Sequence, residues 1–200
     1  MTRVGILGGT FNPPHIGHLV CASEAAAQLE LRRVLLTPVA LAPHKAVAAG
    51  DPGPQLRLEL CRLAVAGDER LGVCDLEVRR GGPSYTVDTL RELHARTPED
   101  DLTFIVGGDI AVGLASWREP EAVLELATLA VAERDGAARR EIAARLRDAF
   151  PGAPEPRFFD MPRIDVSSSL VRGRVAAGRP IRYLVPDAVA ERIAREGLYG

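Results

Sequence analysis

Two histidines, His15 and His18, lie three residues apart directly after a glycine-rich turn. Residues 4–18 read VGILGGTFNPPHIGH: an apolar strand, two glycines, a proline-stiffened turn and the start of an alanine-rich helical pattern. On the first turn of a helix this spacing projects both imidazoles from one face. Paired glycines let backbone approach a bulky anion, and a helix start offers it unpaired N–H groups. The segment predicts a phosphate site with two titratable donors, against the alternative of a junction with incidental histidines.

A single lysine, Lys45, stands among the 25 basic residues. It lies in the segment 39–54, which is rich in Pro, Gly and Ala and is long enough to indicate a functional or mobile loop. A compact ammonium on a flexible stem suits phosphate, and arginine replaces it poorly there. Lys45 is therefore a candidate phosphate ligand, with a chance surface lysine as the alternative. The neighbouring His44 is left out of the catalytic set.

Three consecutive serines, Ser167, Ser168 and Ser169, open a further helical pattern, and Arg172 follows one turn later. Hydroxyls, backbone N–H groups and a guanidinium at one helix start can surround an anion. An ordinary serine N-cap is the competing interpretation of these residues.

Composition restricts the class of protein. The chain has 200 residues, a formal net charge of −2 and 46% hydrophobic residues, typical of a soluble globular protein with no global preference for nucleic acid. No apolar run reaches the length of a membrane span, and the amino terminus does not resemble a signal peptide. Cys21, Cys61 and Cys74 lack metal-ligand spacing and are interpreted as core residues in a reducing compartment. We expect a cytoplasmic protein that binds neither nucleic acid nor membrane.

Strand and helix patterns alternate along the chain, which favours an α/β, doubly wound (Rossmann-like) parallel sheet flanked by helices. Ligands of such sheets bind beyond the carboxyl ends of the strands, at a switch point. We expect one domain over residues 1–200, with a small helical C-terminal subdomain from about residue 165. Strands are predicted over 3–7, 34–37, 71–78, 102–106, 129–132 and 157–159. Helices are predicted over 16–31, 55–66, 85–95 with Ser84 as N-cap, 121–126, 139–149, 168–177 with Ser167 as N-cap, and 187–196.

The histidine segment resembles the H-x-G-H motif of the nucleotidyltransferase superfamily, which is related to class I aminoacyl-tRNA synthetases. Over the wider string it is similar to the nicotinate-nucleotide adenylyltransferases, which commonly have Asp where this chain has Asn12. Three later segments resemble further elements of that family. They are Pro43-His44-Lys45, the run Ile105–Asp109 followed by Leu114 and Trp117, and the run Val166–Arg172. The matches run in order over residues 4–172.

The resemblance implies adenylyl transfer from ATP to nicotinate mononucleotide, giving nicotinate adenine dinucleotide and pyrophosphate in NAD biosynthesis. The catalytic residues would be His15, His18, Lys45 and Arg172. ATP would contact Gly8, Gly9, Thr10, Phe11, Gly107, Asp109, Ser167, Ser168 and Ser169. Trp117 would face the nicotinate ring, and backbone N–H groups near Thr86 and Arg118 would meet its carboxylate.

Two of the implied roles have alternatives. Asp109 would hold nucleotide hydroxyls, or else act as a helix N-cap. Arg134 would touch nucleotide, but its neighbour Asp135 departs from the family's usual proline. Mg²⁺ is expected to travel on the ATP phosphates, because the sequence suggests no dedicated carboxylate cage for a metal.

Other functions remain open at this point. A sister adenylyltransferase for nicotinamide mononucleotide or phosphopantetheine would share the ATP machinery, although the region of Thr86 and Trp117 argues against phosphopantetheine. A synthetase-like enzyme would need tRNA-binding domains for which 200 residues leave no room. A non-catalytic nucleotide sensor would explain the binding residues but not the intact histidine pair. The expected partners are ATP and the mononucleotide, and assembly as a homo-oligomer is left open.

Overall fold

Six parallel strands form one sheet in a computed structural model that describes residues 2–43, 46–133 and 135–200. The strands occur in the order β3-β2-β1-β4-β5-β6. They are β1 Arg3–Gly9, β2 Arg33–Pro38, β3 Leu71–Val73, β4 Asp101–Gly107, β5 Thr128–Ala132 and β6 Arg157–Phe159. This is the order of a doubly wound Rossmann-like sheet, so the predicted fold class is confirmed.

Helices connect the strands and cover the sheet. They are α1 Ile16–Gln28, α2 Pro54–Val65, α3 Leu76–Arg80, α4 Thr86–Arg96, α5 Gly108–Ala111, α6 Pro120–Leu126, α7 Gly136–Ala149, α8 Ser168–Ala176 and α9 Asp187–Glu196, with a 3-10 turn at Leu114–Ser116. Within the described ranges, no helix combines the length and apolar character that crossing a bilayer requires.

The strand order reverses between β1 and β4, which pair in parallel with Ile6 opposite Phe104 and Leu7 opposite Ile105. From β1 the chain runs outward through β2 to β3, then returns to β4 and continues through β5 to β6 on the other side. Connections leaving in opposite directions open a crevice beyond the carboxyl ends of these two central strands. Gly9 ends β1 and Gly107 ends β4, so the two glycine segments meet at this crevice.

Two apolar cores lie on the two faces of the sheet. Adjacent residues of β1 belong to different cores, because Ile6 packs in one cluster and Leu7 in the other. This separation follows from the alternation of side chains along a strand, with helices covering both faces. Gly5 is closely packed, because a Cβ there would lie 2.8 Å from Leu31 and 2.9 Å from Ile105.

The C-terminal helices pack on α2 around a third apolar cluster. Its members include Leu60 of α2, Val171 of α8, and Val189 and Ile193 of α9. The backbone N–H of Ile16 also donates to the carbonyl of Leu184, over 3.0 Å, and thereby joins this region to the start of α1. The proposed division into one domain with a C-terminal subdomain stays a prediction.

The predicted strand over 71–78 was wrong in its second half. β3 ends at Val73, and α3 begins at Leu76. β3 has β2 as its partner, and the pairing stops opposite Leu36, two residues before β2 ends at Pro38, which has no N–H to extend the ladder. The apolar residues at 74, 76 and 78 therefore pack from a turn and a short helix rather than from a strand.

Ser84 is not the N-cap of α4. Tyr85 occupies that position without a side-chain capping bond, whereas the Ser84 hydroxyl accepts a hydrogen bond from the N–H of Ala40 over 3.0 Å. The predicted N-cap Ser167 is confirmed, since its hydroxyl accepts from the N–H of Leu170 over 3.1 Å. Other boundaries differ by a few residues: α1 ends at Gln28, and α7 begins at Gly136 after an Asp135 cap. The one-turn helix α5 was missed because four residues carry too little periodicity.

Candidate active site

The turn after β1 is built around a buried phenylalanine. Phe11 has a φ of 49°, is 1% exposed and places its ring beside Gly9. A Cβ at Gly9 would lie 3.0 Å from the nearest carbon of that ring. The ring also meets His18 edge-on, with the ring centroids 4.8 Å apart. Gly9 thus leaves room for the Phe11 ring, which packs against His18.

The histidine pair closes the first turn of α1. The backbone N–H of His15 donates to Nδ1 of His18 over 3.2 Å, and the two imidazole centroids lie 3.7 Å apart. Because Nδ1 of His18 accepts a hydrogen bond, the proton of its neutral ring lies on Nε2. His18 therefore presents an N–H donor at Nε2. Gly17 makes room for the pair, since a Cβ there would lie 3.1 Å from the His15 ring.

Both imidazoles are neutral near pH 7. Burial lowers the pKa of His15 from 6.5 to about 4. Burial also lowers the pKa of His18, to about 3, and repulsion from the adjacent His15 adds to that shift. A neutral imidazole can donate a hydrogen bond to a phosphoryl oxygen without giving up a proton.

The start of α8 packs against the turn that precedes His15. Ser168 donates its hydroxyl to the carbonyl of Pro13 over 2.8 Å, and Arg172 donates from Nη1 to the carbonyl of Asn12 over 2.7 Å. Nη2 of Arg172 donates to the Ser169 hydroxyl over 3.2 Å. Segments about 155–160 positions apart in the chain therefore form one polar surface with the histidine turn.

A cavity of about 410 Å³ opens at the crevice between β1 and β4. Its floor includes Gly8, Gly9 and Thr10 at the end of β1, and Gly107 at the end of β4. Glycines here leave backbone open to a ligand, and Gly8 is solvent-exposed. The cavity lies where the strand order predicts a binding site.

The other side of the cavity combines a helix start with an aromatic wall. Thr86 is the first residue of α4, where backbone N–H groups lack partners within the helix, and it lines the cavity together with Trp117. The indole meets Phe104 edge-on at a centroid distance of 5.7 Å. Unpaired N–H groups favour an anion, and a flat indole favours a flat ring.

Arg118 links this wall to α4. Its guanidinium lies 4.7 Å from the centroid of the Tyr85 ring and 3.5 Å from the Asp88 carboxylate. These contacts bring residue 118 beside the start of α4, where both Arg118 and Thr86 line the cavity. Because the Arg118 side chain is about half exposed, its ion pair with Asp88 adds little to the free energy of unfolding. Its main effect is to hold residue 118 beside α4.

A buried carboxyl, Glu77, also lines the cavity. The Thr89 hydroxyl donates to Oε1 of Glu77 over 2.7 Å and accepts from Arg80 over 2.9 Å. Among the residues that the structure describes, Oε2 of Glu77 has no hydrogen-bond partner, and neither has Nδ1 of His15 in the histidine turn; both atoms are buried. Burial raises the pKa of Glu77, while hydrogen bonds from Thr89 and Ser84 oppose that shift.

Comparison with known proteins follows the same lines. Residues 6–174 match the Cytidylyltransferase-like family. A probable nicotinate-nucleotide adenylyltransferase of Shouchella clausii is 39% identical over 200 residues, covering 100% of this chain and 98% of the relative. One of Citrifermentans bemidjiense is 43% identical over 212 residues, covering 98% of each. The chain belongs to the nicotinate-nucleotide adenylyltransferase family. It is accordingly a nucleotidyltransferase.

The fold agrees with solved structures. The nicotinic acid mononucleotide adenylyltransferase of Plasmodium falciparum, solved in complex with NaAD, superposes with a TM-score of 0.78 at 17% identity, covering 100% of this chain and 98% of that one. At such identity the likeness concerns the fold alone.

The residues that the family resemblance assigned fall into two adjoining groups. Gly8, Gly9, Thr10, Gly107, Thr86, Trp117 and Arg118 line the cavity, whereas Phe11, His15, His18, Ser168, Ser169 and Arg172 form the polar surface beside it and its support. The side chain of Phe11 is buried, so any contact with nucleotide falls to its backbone. Ser167 uses its hydroxyl to cap α8. Lys45, together with His44 and Arg134, lies outside the described residues.

Asp109 is exposed in the first turn of α5, and Gly107 rather than Asp109 is the N-cap. The helix-cap alternative for Asp109 is therefore wrong, and its contact with nucleotide hydroxyls stays a prediction. A Cβ at Gly107 would lie 2.9 Å from the Asp109 carboxylate, so any larger residue there would require the exposed Asp109 side chain to move.

Four residues of this family member escaped sequence reasoning: Asp51, Arg57, Glu77 and Tyr199. Arg57 and Glu77 are charged residues that the fold buries, at 3% and 6% exposure. No local pattern marks a buried charge, since its partners come from distant parts of the chain.

Within the described ranges, no group of three or more His, Cys, Asp or Glu side chains is placed to hold a metal ion. The three cysteines are free thiols, and Cys61 and Cys74 are buried as expected.

Proposed function

We propose that this enzyme transfers the adenylyl group of ATP to nicotinate mononucleotide, forming nicotinate adenine dinucleotide and pyrophosphate. The observation that carries the proposal is that two half-sites adjoin. The first half-site is the histidine turn, with a neutral histidine donor and Arg172. The second half-site is the cavity, with helix N–H donors and an indole wall, and residues 8–12 connect the two. Curated relatives of full length named as probable nicotinate-nucleotide adenylyltransferases support the same acceptor.

Chemistry at the first half-site takes place on the α-phosphorus of ATP. A phosphate oxygen of the mononucleotide attacks in line, the new P–O bond forms as the bond to pyrophosphate breaks, and pyrophosphate departs with the bonding electrons. The attacking phosphate is anionic at neutral pH, so the reaction needs positioning and charge stabilisation more than a strong base. His18 supplies a hydrogen bond from Nε2 to a phosphoryl oxygen, and His15 supports it on the same turn.

Cationic and hydroxyl groups would hold the departing half of ATP. Arg172 is oriented by the Asn12 carbonyl and the Ser169 hydroxyl, and we assign it to the triphosphate. Ser168 and Ser169, at the start of α8, are assigned to the leaving pyrophosphate, where helix N–H groups add to the hydroxyls. Lys45, from the segment before α2, is assigned to the triphosphate on sequence grounds.

At the second half-site the acceptor would enter the cavity. We assign the nicotinate ring to Trp117 and its carboxylate to N–H groups near Thr86 and Arg118. Gly8, Gly9, Thr10 and Gly107, which also line this cavity, are assigned to ATP, and Asp109 is assigned to the nucleotide hydroxyls. An unpaired N–H at a helix start distinguishes a carboxylate from a neutral amide through charge, and this favours the acid over the amide.

A divalent cation would enter the site bound to ATP. We assign Mg²⁺ to the ATP phosphates, because the polar atoms facing that half-site are N–H, guanidinium and hydroxyl groups that bind phosphate oxygen rather than metal. Bound to ATP, the ion would neutralise charge on the triphosphate. A cytoplasmic location is proposed with this substrate pair.

The decisive experiment is an acceptor panel with Mg²⁺ and ATP: nicotinate mononucleotide, nicotinamide mononucleotide and phosphopantetheine. Pyrophosphate release should depend on an acceptor and be fastest with the acid, and the dinucleotide should form in equal amount. Equal or faster turnover with the amide or with phosphopantetheine would show that the enzyme is one of the sister adenylyltransferases. ATP binding without turnover of any acceptor would support a nucleotide sensor instead.

A further inference from the structure

Asn12 holds together three parts of the chain that are far apart in sequence. Its backbone carbonyl accepts from Nη1 of Arg172 over 2.7 Å, its Oδ1 accepts from the Tyr199 hydroxyl over 2.7 Å, and its Nδ2 donates to Oδ2 of Asp51 over 2.9 Å. The residue is 2% exposed. Every polar group of this side chain is therefore satisfied inside the protein.

The partners of the Asn12 amide determine its orientation. A carboxylate such as Asp51 only accepts hydrogen bonds, so the NH2 group must face it and the carbonyl oxygen must face Tyr199. Burial, followed by the nearby Asp51 charge, raises the pKa of the Tyr199 phenol, which keeps its donor proton in place. A carboxylate at position 12 could satisfy Tyr199 but would face Asp51 with no proton between them.

Asp51 is held firmly from its other side. Its Oδ1 accepts from the N–H of Gly53 over 2.8 Å and from Nε of Arg57 over 3.3 Å. The Arg57 guanidinium, buried in turn, donates to the carbonyls of Thr10 (2.8 Å), Val39 (2.8 Å) and Ala40 (3.0 Å). Through Arg57, the Asp51 carboxylate therefore connects the histidine turn with residues 39–40, of which Val39 lines the cavity.

We propose that Asn12 and Asp51 form a coupled amide–acid pair of positioning residues. The pair holds the histidine turn and Arg172 in the arrangement that receives ATP, and an acid at position 51 makes an amide necessary at position 12. The catalytic part of the inference rests on the proposed function, whereas the structural part does not.

The geometry predicts an unequal response to the two single substitutions. Asn12→Asp places two carboxylates at a former hydrogen-bond distance, and no rotation of either side chain removes the repulsion. Asp51→Asn is milder, because the Asn12 amide can turn over and present its oxygen to the new NH2 group while Tyr199 accepts. The exchanged pair, Asn12→Asp with Asp51→Asn, keeps all the side-chain hydrogen bonds with donor and acceptor reversed between the two residues.

The test compares the melting temperature (Tm), ATP affinity by calorimetry, and steady-state kinetics of wild type, both single variants and the exchanged pair. Asp68→Asn is the matched control, because Asp68 bonds Arg70 within its own turn, away from Asn12. We expect Asn12→Asp to lower Tm on the order of 5 °C and the exchanged pair to recover to within about 2 °C of wild type. Asn12→Asp should also raise KM for ATP about tenfold, with KM for the acceptor little changed, and the exchange should restore it.

Additive Tm losses in the exchanged pair would overturn the coupling, as would a single Asn12→Asp substitution with wild-type Tm. Recovery of Tm without recovery of KM for ATP would overturn the positioning role. Should Asn12→Asp fail to fold, the exchanged pair and Asp51→Asn still decide the matter, since coupling requires the exchanged pair to fold. A wild type that binds ATP but turns over no acceptor would refute the proposed function alone, because the Tm and ATP-binding comparisons do not use an acceptor.

Discussion

The backbone N–H of His15 donates to Nδ1 of His18, and this single bond decides which nitrogen of His18 carries the proton. With Nδ1 occupied and the ring neutral, Nε2 carries the proton. The helix that presents the imidazole therefore also sets its tautomer. Phe11 keeps the ring in that orientation through an edge-on contact at 4.8 Å.

Replacing His18 should impair chemistry and spare the fold. His18→Ala removes the donor to the phosphoryl oxygen, and we expect kcat to fall about 10²- to 10³-fold, as for loss of one such donor elsewhere. Circular dichroism and Tm near pH 7.5 should stay close to wild type. His94→Ala, at an exposed position, is the control and should leave kcat unchanged. Wild-type turnover in His18→Ala would remove His18 from the mechanism.

Stability should decline in acid because of the histidine pair. The folded-state pKa values, about 4 for His15 and about 3 for His18, lie below the unfolded value of 6.5. Between about pH 6.5 and 4 the unfolded chain therefore binds protons that the folded chain does not, so the free energy of unfolding falls as pH falls. Above pH 7 these groups contribute no slope.

Thermal melts from pH 4 to 8 measure this effect. His18→Gln should flatten the acid decline of Tm, whereas His94→Gln should follow wild type, because His94 is exposed. Parallel curves for wild type and His18→Gln would show that His18 is not neutralised by burial. Between pH 6 and 8, where both imidazoles of the folded enzyme stay neutral, their protonation should produce no inflection in the pH profile of kcat.

A methyl group at Gly9 should disturb His18 at a distance. The added Cβ would lie 3.0–3.2 Å from three carbons of the Phe11 ring, so the ring, which contacts His18, would have to shift. We expect Gly9→Ala to lower kcat about tenfold or more, since a small displacement of a catalytic group is costly. Gly173→Ala is the control, because a Cβ there meets nothing within 4 Å. Equal kcat in the two variants would contradict the packing argument.

Thr89 should matter for stability and for the acceptor. Thr89→Val keeps the shape but removes the hydroxyl that donates to Oε1 of Glu77 and accepts from Arg80. The loss of buried hydrogen bonds should lower stability by about 1–3 kcal/mol, or roughly 2–10 °C in Tm. KM for the mononucleotide should rise, because Glu77 and Thr89 line the cavity. Thr97→Val, which removes a bond to Leu93 at the end of α4, is the matched control and should have a smaller effect on both readouts.

Trp117 should act on the acceptor and not on ATP. Trp117→Ala removes the aromatic wall, and we expect KM for nicotinate mononucleotide to rise about three- to tenfold or more, with KM for ATP within about twofold of wild type. Trp117→Phe should retain part of the affinity. Tyr183→Ala, which removes an aromatic side chain that is 76% exposed, should change neither constant. A larger effect on ATP than on the mononucleotide would reverse the assignment of the two half-sites.

Much of the architecture followed from periodicity, and its failures occurred where periodicity is ambiguous. β1 and β4 were predicted because buried parallel strands are apolar runs. In this sequence both of these runs end in glycine, at Gly9 and Gly107. Residues 74–78 alternate like a strand, yet the edge position of β3 leaves them no partner, and they form a turn and α3. Ser84 has the side chain of an N-cap but serves Ala40 instead, a choice that depends on a distant segment.

At the site, residues of local motifs were easier to find than residues of the network behind them. His15 and His18 are separated by one turn, so their proximity follows from the helix itself. Arg57 was indistinguishable from any other arginine on an amphipathic helix, and its burial follows from three carbonyls that two loops bring to it. Tyr199 gives no sequence signal, because its partner Asn12 lies 187 positions away.

That separation has a consequence for when the enzyme becomes active during its own synthesis. The histidine turn is synthesised before its partners, because Ser168, Arg172 and Tyr199 follow it only after 155, 160 and 187 positions of intervening chain. At 5–20 residues per second the last of these contacts forms on the order of ten seconds or more after the turn has been made. A nascent chain that has not yet reached residue 199 therefore carries the histidine turn without all the groups that orient it, and it lacks the arrangement that the proposed reaction with ATP requires.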